Sequence, residues 1–149
     1  MNTDKELLCS EKQAITADAV STDGLLWSGL LGADRTLPLR LFAQIETSFT
    51  PDGAATGITF EVIGADNAAL TTNVVSLYSV TVTNGASNVN LVAGTRVIDI
   101  PLPATIKAYV GFRYTTNAGD YTTGKVTAGA VIGTETPQSL RPALESHGF

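Results

Sequence analysis

Few residues in this 149-residue chain are suited to chemistry: one Cys, one His and 14 carboxylates. A general base must be held rigidly within hydrogen-bond reach of the proton it takes. His147, two residues before the last position, reads instead as a solvated tail residue. A thiolate nucleophile needs a base beside it, and common zinc sites need several Cys or His ligands. Cys9 sits in a polar leader with no His near it in sequence, so it reads as an incidental reduced thiol. The carboxylates form no convincing pair for acid–base work across a cleft. Glu46 and Glu61 fall on the outer faces of expected strands, and Asp66, Asp99 and Asp120 lie near turns, where Asp commonly bonds its own backbone. Asp66-Asn67 lacks the spaced oxygen series of a dedicated calcium loop. No phosphate-binding or dinucleotide fingerprint is present. The expectation is a protein that is not an enzyme, with no catalytic residue, cofactor or metal.

The elements that would position any site are short alternating strands. "IKAYVGFRY" puts Ile106, Ala108, Val110, Phe112 and Tyr114 on one face, with Lys107, Tyr109, Gly111 and Arg113 on the other. "LPLRLFAQIE" sets Leu37, Leu39, Leu41, Ala43 and Ile45 against Arg40, Gln44 and Glu46. "ITFEV" buries Ile58, Phe60 and Val62, "YSVTVT" buries Tyr78, Val80 and Val82, and "KVTAGAVIG" buries Val126, Ala128, Ala130 and Ile132. Val89–Val92 and Val97–Ile100 are shorter candidates, giving at least seven strands. Turn signals separate them, including "PDGAATG", "TNAGDYTTG" and Asn84-Gly85, the pair favoured in type I′ hairpins. "PLP" at Pro101–Pro103 stops a strand, since Pro cannot donate to a ladder. No helical stretch separates the strands, so parallel βαβ units are not expected. The fold class is all-β, an antiparallel β-sandwich of jelly-roll type with N- and C-terminal extensions.

Three segments follow. Residues 1–24 form an N-terminal arm: Met1–Lys12 is read as one or two helical turns capped by Asp4, and "AITADAV" as a possible edge strand. Residues 25–133 form the sandwich, and residues 134–149 a tail outside the core. Leu7, Leu8, Leu140, Leu144 and Phe149 give both ends apolar anchors that a purely disordered tail tends to lack.

Bulk properties narrow the partners. Charged residues make up 15% of the chain, below the usual quarter or so, and Thr occurs 21 times. That composition suggests outer strand faces that are neutral and mildly polar. The net charge of −5, with scattered basic residues, argues against nucleic acid, because neutralising phosphates takes clustered Lys and Arg. No run of about 18 apolar residues exists to span a membrane. The polar, acidic opening is not a secretory leader. A lone Cys forms no internal disulfide, which allows a reducing cytoplasm. Phe42 and Tyr109 fall on the polar faces of their strands, and Trp27 lies among Leu25, Leu26, Leu30 and Leu31. Exposed aromatics are common interface anchors, so at least one of Phe42 and Tyr109 is expected to be buried only on oligomerisation.

Two stretches carry a family resemblance: "DKELLCSEKQAITADAVSTDGL" and "LVAGTRVIDIPLPATIKAYVGFRYTTNAGDYTTGKVTAGAVIG". Their features, in order, are the acidic-leucine leader running into "QAITA", the "LVAG-x-R" turn, "PLP", the Tyr109–Tyr114 strand and the closing "TAG-x-V". The chain resembles capsid cement, or decoration, proteins of short-tailed bacteriophages, of the Bordetella-phage jelly-roll type. The resemblance implies a non-catalytic domain on the virion, at the capsid surface, assembled in the host cytoplasm. It further implies a homo-oligomer, dimer or trimer, that clamps adjacent copies of the major capsid protein. The interface candidates are Leu7, Leu8, Trp27, Phe42, Tyr109, Leu140, Leu144 and Phe149. The alternative is a carbohydrate-binding jelly roll displayed on the virion, with Tyr121 near Asp120 and Asn117 as the sugar platform. An all-β enzyme and a tail or collar protein are further rivals.

Overall fold

The computed structural model describes residues 7–26, 39–103, 105 and 107–132. Nine strands fill it: β1 (Leu8–Ala14), β2 (Ala19–Val20), β3 (Leu25–Leu26), β4 (Leu39–Pro51), β5 (Gly57–Ala65), β6 (Val75–Thr83), β7 (Arg96–Pro101), β8 (Tyr109–Asn117) and β9 (Tyr121–Ile132). One sheet runs β1-β9-β4-β7 and the other β2-β8-β5-β6, with β3 also paired to β8. Every pairing is antiparallel. With β2 and β3 as two pieces of one interrupted strand, the pairs nest: β1 with β9, β2/β3 with β8, β4 with β7, β5 with β6. This nested order is the jelly roll. Among the described residues no helix is long and apolar enough to cross a membrane.

Alternation builds the core as the sequence predicts. Leu41, Ala43 and Ile45 of β4, Ile58, Phe60 and Val62 of β5, Val110, Phe112 and Tyr114 of β8, and Val126, Ala128 and Ala130 of β9 are all fully buried between the sheets. Two aromatic pairs meet edge to face: Phe60 with Tyr114 at 5.9 Å, and Phe49 with Tyr121 at 5.4 Å.

The structure departs from the sequence reading in several places. Leu8–Ala14 is a strand and not a helical turn, and it forms an edge of the four-stranded sheet; the edge strand expected in "AITADAV" is present as β2, at the edge of the five-stranded sheet. Its pairing with β9 is broken twice by register shifts, between Leu8 and Ser10 and between Ser10 and Gln13. Bulges of this kind let both Cys9 and Ser10 be buried, which a strict two-residue alternation forbids. The sandwich therefore begins ahead of residue 25. Asn84-Gly85 does not close a hairpin. It opens the crossover from β6 to β7 in the other sheet, where the Asn84 amide donates to the Ala55 carbonyl at 2.6 Å and its Oδ1 accepts the Tyr121 hydroxyl at 2.6 Å. Val89–Val92 lies in the same crossover and sends only Leu91 into the core. Tyr78 is 38% exposed; a register shift opposite Val62 and Ile63 gives its place to Leu77. β8 starts at Tyr109, and Ala108 is exposed ahead of it. Leu37, Ile106 and the side chain of Ile132 lie outside what the structure describes.

Gly129 sets how the leader seats on the last strand. It pairs with Leu8, and a Cβ there would run into the Leu7 carbonyl oxygen and stand 2.8 Å from the Leu8 Cα. Backbone atoms cannot swing aside as a side-chain tip does. We expect Gly129→Ala to cost about 1–3 kcal/mol, as overpacking does, and to lift β1 first. Limited proteolysis should then cut within residues 8–14 before any other described strand; unchanged resistance would show that β1 tolerates the added methyl.

Candidate functional site

Among the described residues, several groups suited to chemistry are engaged in holding the fold. Cys9 is 1% exposed, and burial, aided by the charge of Asp23, pushes its thiol far above the ordinary range. A thiol kept protonated is a poor nucleophile. Ser10 donates to Gln13 Oε1 at 2.7 Å, so the 2.8 Å bond between Ser10 Oγ and the Tyr114 hydroxyl takes its proton from Tyr114. Burial raises the Tyr114 pKa, which keeps that donor in place. Gln13 in turn donates to the Val20 carbonyl at 2.8 Å and accepts from the Thr22 amide at 3.1 Å. This chain of bonds joins β1, in one sheet, to β2 and β8 in the other.

Two acidic residues, Asp66 and Asp18, are similarly occupied. Asp66 accepts from Asn73 Nδ2 at 2.7 Å and pairs with Lys107 Nζ at 3.2 Å; the Asn73 bond, followed by Lys107, holds its carboxyl below the usual range. Asn67 Oδ1 accepts from the Thr71 and Thr72 amides at 2.9 and 3.0 Å. The Asp66-Asn67 oxygens thus brace the loop from β5 to β6 from within. Asp18 Oδ1 receives the Thr116 amide at 2.8 Å, beside a shallow, open depression lined by Asp18, Ala19, Val20, Arg113 and Thr115. His147 lies outside the described residues.

Surface is what remains for function, and the sequence-derived anchors divide into three groups. Phe42 is fully buried within the single chain, so it is corrected as an exposed interface anchor. It stands opposite Gly129 in the β4–β9 ladder, and the Arg96 guanidinium lies 5.2 Å from its ring centre. Tyr109 is half-buried; it closes a small apolar cluster of Ile63, Ala65 and Leu70 on the outer face of the five-stranded sheet. Leu7 and Leu8 are half-buried, and Leu7 packs against the main core, so these two stitch the leader to the body. Trp27, Leu140, Leu144 and Phe149 lie outside the described residues. The sugar-platform reading of Tyr121 is corrected too: its ring is 3% exposed and its hydroxyl is bonded to Asn84.

The two outer faces differ in chemistry. On the five-stranded sheet Thr81, Thr59 and Thr115 align across β6, β5 and β8, with Thr59 and Thr81 hydroxyls 2.9 Å apart. Beside that row Ser79, Glu61 and Arg113 align in the same way. Arg113 Nε donates to Glu61 at 2.6 Å, and the Ser76 hydroxyl donates to the same carboxylate at 3.1 Å. On the four-stranded sheet Asp99 is held by Arg40 at 2.7 Å and by Arg96 at 3.6 Å. Glu61, Arg113, Asp99, Arg40 and Arg96 are thus held in ion pairs, beside neutral Thr and Ser surface. The exposed large apolar side chains among the described residues are Leu26, Val75, Tyr78, Val89 and Val92. The sequence reading places Tyr78 in the core and Val89 and Val92 in a short strand, and singles out none of Val75, Tyr78, Val89 and Val92 as exposed.

A family model described as Bbp16 matches residues 9–130, which runs from β1 into β9 and takes in the whole described sandwich. The chain belongs to the Bbp16 family. No curated protein matches it.

The Glu61–Arg113 pair makes an acid-stability prediction. The bond from Arg113 holds the Glu61 carboxyl below the ordinary Glu range, so as pH falls the unfolded chain takes up this proton first. Its contribution is complete above the unfolded value of about 4.3 and is lost as pH falls through the lower folded value. Glu61→Gln is expected to cost about 0.5–1 kcal/mol at pH 7, the scale of a partly exposed pair. The same change should flatten the fall in stability between about pH 5 and 3. Urea denaturation across that range measures both; a variant as acid-sensitive as the parent would assign the effect elsewhere.

Proposed function

We propose that this Bbp16-family chain is a structural phage virion protein that decorates the capsid surface and stabilises it by clamping adjacent major capsid proteins. The observation that carries this reading is the family match from β1 into β9, which takes in most of both stretches that bear the phage cement resemblance. The geometry supports a role in contact and not in turnover. The thiol is buried, Asp66, Glu61 and Asp99 are tied into a loop or ion pairs, and Tyr121 is unavailable for stacking on a sugar. A clamp works through a rigid body and several simultaneous contacts, because linked weak interfaces raise the effective affinity by avidity. The neutral faces suit such contacts, since polar hydroxyls are desolvated at lower cost than charges. The protein acts without cofactor, nucleic acid or membrane, as a homo-oligomer on the virion, after assembly in the host cytoplasm.

Co-sedimentation with purified heads tests this directly. The chain should pellet in fixed ratio with expanded heads and raise the temperature at which they release DNA. A chain that stays in the supernatant with both empty and expanded heads would overturn the reading.

A further inference from the structure

The sequence holds a single Asn-Gly pair, Asn84-Gly85. In such a pair the side-chain amide is open to attack by its own backbone, because glycine puts no side chain in the way of the approaching nitrogen. The fold needs both residues. Gly85 has a φ of 71°, which side chains rarely adopt, and a Cβ there would stand 2.7 Å from Asn90 Nδ2. Asn84 ties the start of the β6–β7 crossover to two other elements. Its Nδ2 donates to the Ala55 carbonyl and its Oδ1 accepts from the Tyr121 hydroxyl, both at 2.6 Å. The Ala55 oxygen can only accept, which settles the orientation of the amide.

In the reaction open to this pair, the Gly85 backbone nitrogen loses its proton and attacks the Asn84 Cγ. A C–N bond forms there, the Cγ–Nδ2 bond breaks, and the amide leaves as ammonia with a proton from solvent. Water then opens the cyclic imide to aspartate or, at its other carbonyl, to isoaspartate. Gly85 is exposed, so water and hydroxide reach it. The geometry of the crossover opposes the first step. The Asn84 amide is bonded at both of its ends, and the peptide that joins it to Gly85 is held too, since the Asn84 carbonyl accepts the Asn90 amide at 3.2 Å.

We propose that Asn84 is a site of spontaneous deamidation that its own hydrogen bonds keep latent, with the Tyr121 hydroxyl as the lock. Conversion proceeds from molecules in which the crossover has opened locally, because attack needs the amide turned onto the Gly85 nitrogen. Tyr121 is well held for this role: it is 3% exposed and meets Phe49 edge to face at 5.4 Å. Burial raises its pKa, so the hydroxyl remains a donor in the mildly alkaline range where the Gly85 nitrogen is most readily deprotonated. Once sprung, the lock does not reset. A carboxylate at position 84 has no proton to give the Ala55 carbonyl, and isoaspartate lengthens the backbone where the crossover leaves β6. The inference rests on the crossover alone and not on the proposed role at the capsid.

Incubation of the full chain at mildly alkaline pH, followed by peptide mass spectrometry across Asn84, tests it. Conversion is read as the mass gain of amide to acid, with the isoaspartate peptide eluting separately. The native parent should convert at least about tenfold more slowly than the same chain in urea, as a local opening that breaks several hydrogen bonds requires. Tyr121→Phe should raise the native rate about fivefold, the population change that one hydrogen bond supports, and leave the rate in urea unchanged. Val62→Ala separates local from global opening. Val62 is fully buried and lies opposite Tyr78, away from the crossover, so this change should weaken the fold and leave the native rate as it was. A native parent that converts as fast as in urea would overturn the proposal. So would a Tyr121→Phe rate at or below that of the parent, which would make the hydroxyl idle or a promoter of attack. Equal acceleration by Val62→Ala would place the reaction in globally unfolded molecules and overturn it as well.

Discussion

The structure depends on its first strand being seated on its last. In a nested fold each pair encloses the next, so β1 on β9 is the outermost closure and the one with the longest sequence separation. Leu8 pairs with Gly129 and Ala14 with Lys125, bridging well over a hundred residues. Such non-local pairing must offset a large loss of chain entropy before it contributes. Two features make it hold. Gly129 leaves room for the leader's backbone, and Ser10 reaches the Tyr114 hydroxyl across the core. The second is a buried bond between sheets, where an unsatisfied partner would be costly.

That closure decides what is left for function. The leader contributes buried side chains, so its polarity is not that of a loose arm alone: Ser10 and Gln13 are partners for buried or backbone groups, while Glu11 and Lys12 guard an edge. The same economy runs through the molecule, with Glu61, Asp66 and Asp99 each engaged by a basic neighbour. A body with its thiol sealed and these ion pairs held in place has neutral hydroxyl surface to offer. Those are features of a component that works by contact.

Much of the fold was legible in the sequence because strict alternation survives wherever a strand has a partner on both sides. β4, β5, β8 and β9 are interior to their sheets, and Leu41 to Ile45, Ile58 to Val62, Val110 to Tyr114 and Val126 to Ala130 send their expected alternate residues into the core. The misreadings fall at edges and crossovers. Residues 8–14 mix Leu, Glu and Lys in a way that suits a helical turn, and only β9 and two bulges make them a strand. Tyr78 follows the alternation of β6 on paper, but a bulge hands its place to Leu77. Phe42 looked misplaced on a polar face because the sequence does not show that its partner is Gly129. The surface anchors were less legible than the core, since exposure depends on which edge each strand occupies, and strand order is not written in local periodicity. The motifs that carry the phage resemblance lie in two stretches, residues 4–25 and 91–133, which the Bbp16 match over residues 9–130 largely takes in.

The most direct measurement is amide hydrogen exchange on the isolated protein, resolved by strand. If the first strand is part of the sandwich, the β1 amides bonded to β9 should be protected to the same degree as those of β9 and open with them in one cooperative step. If β1 instead exchanges orders of magnitude faster than β9, the leader is an appended arm, and the closure on which this structure depends is absent.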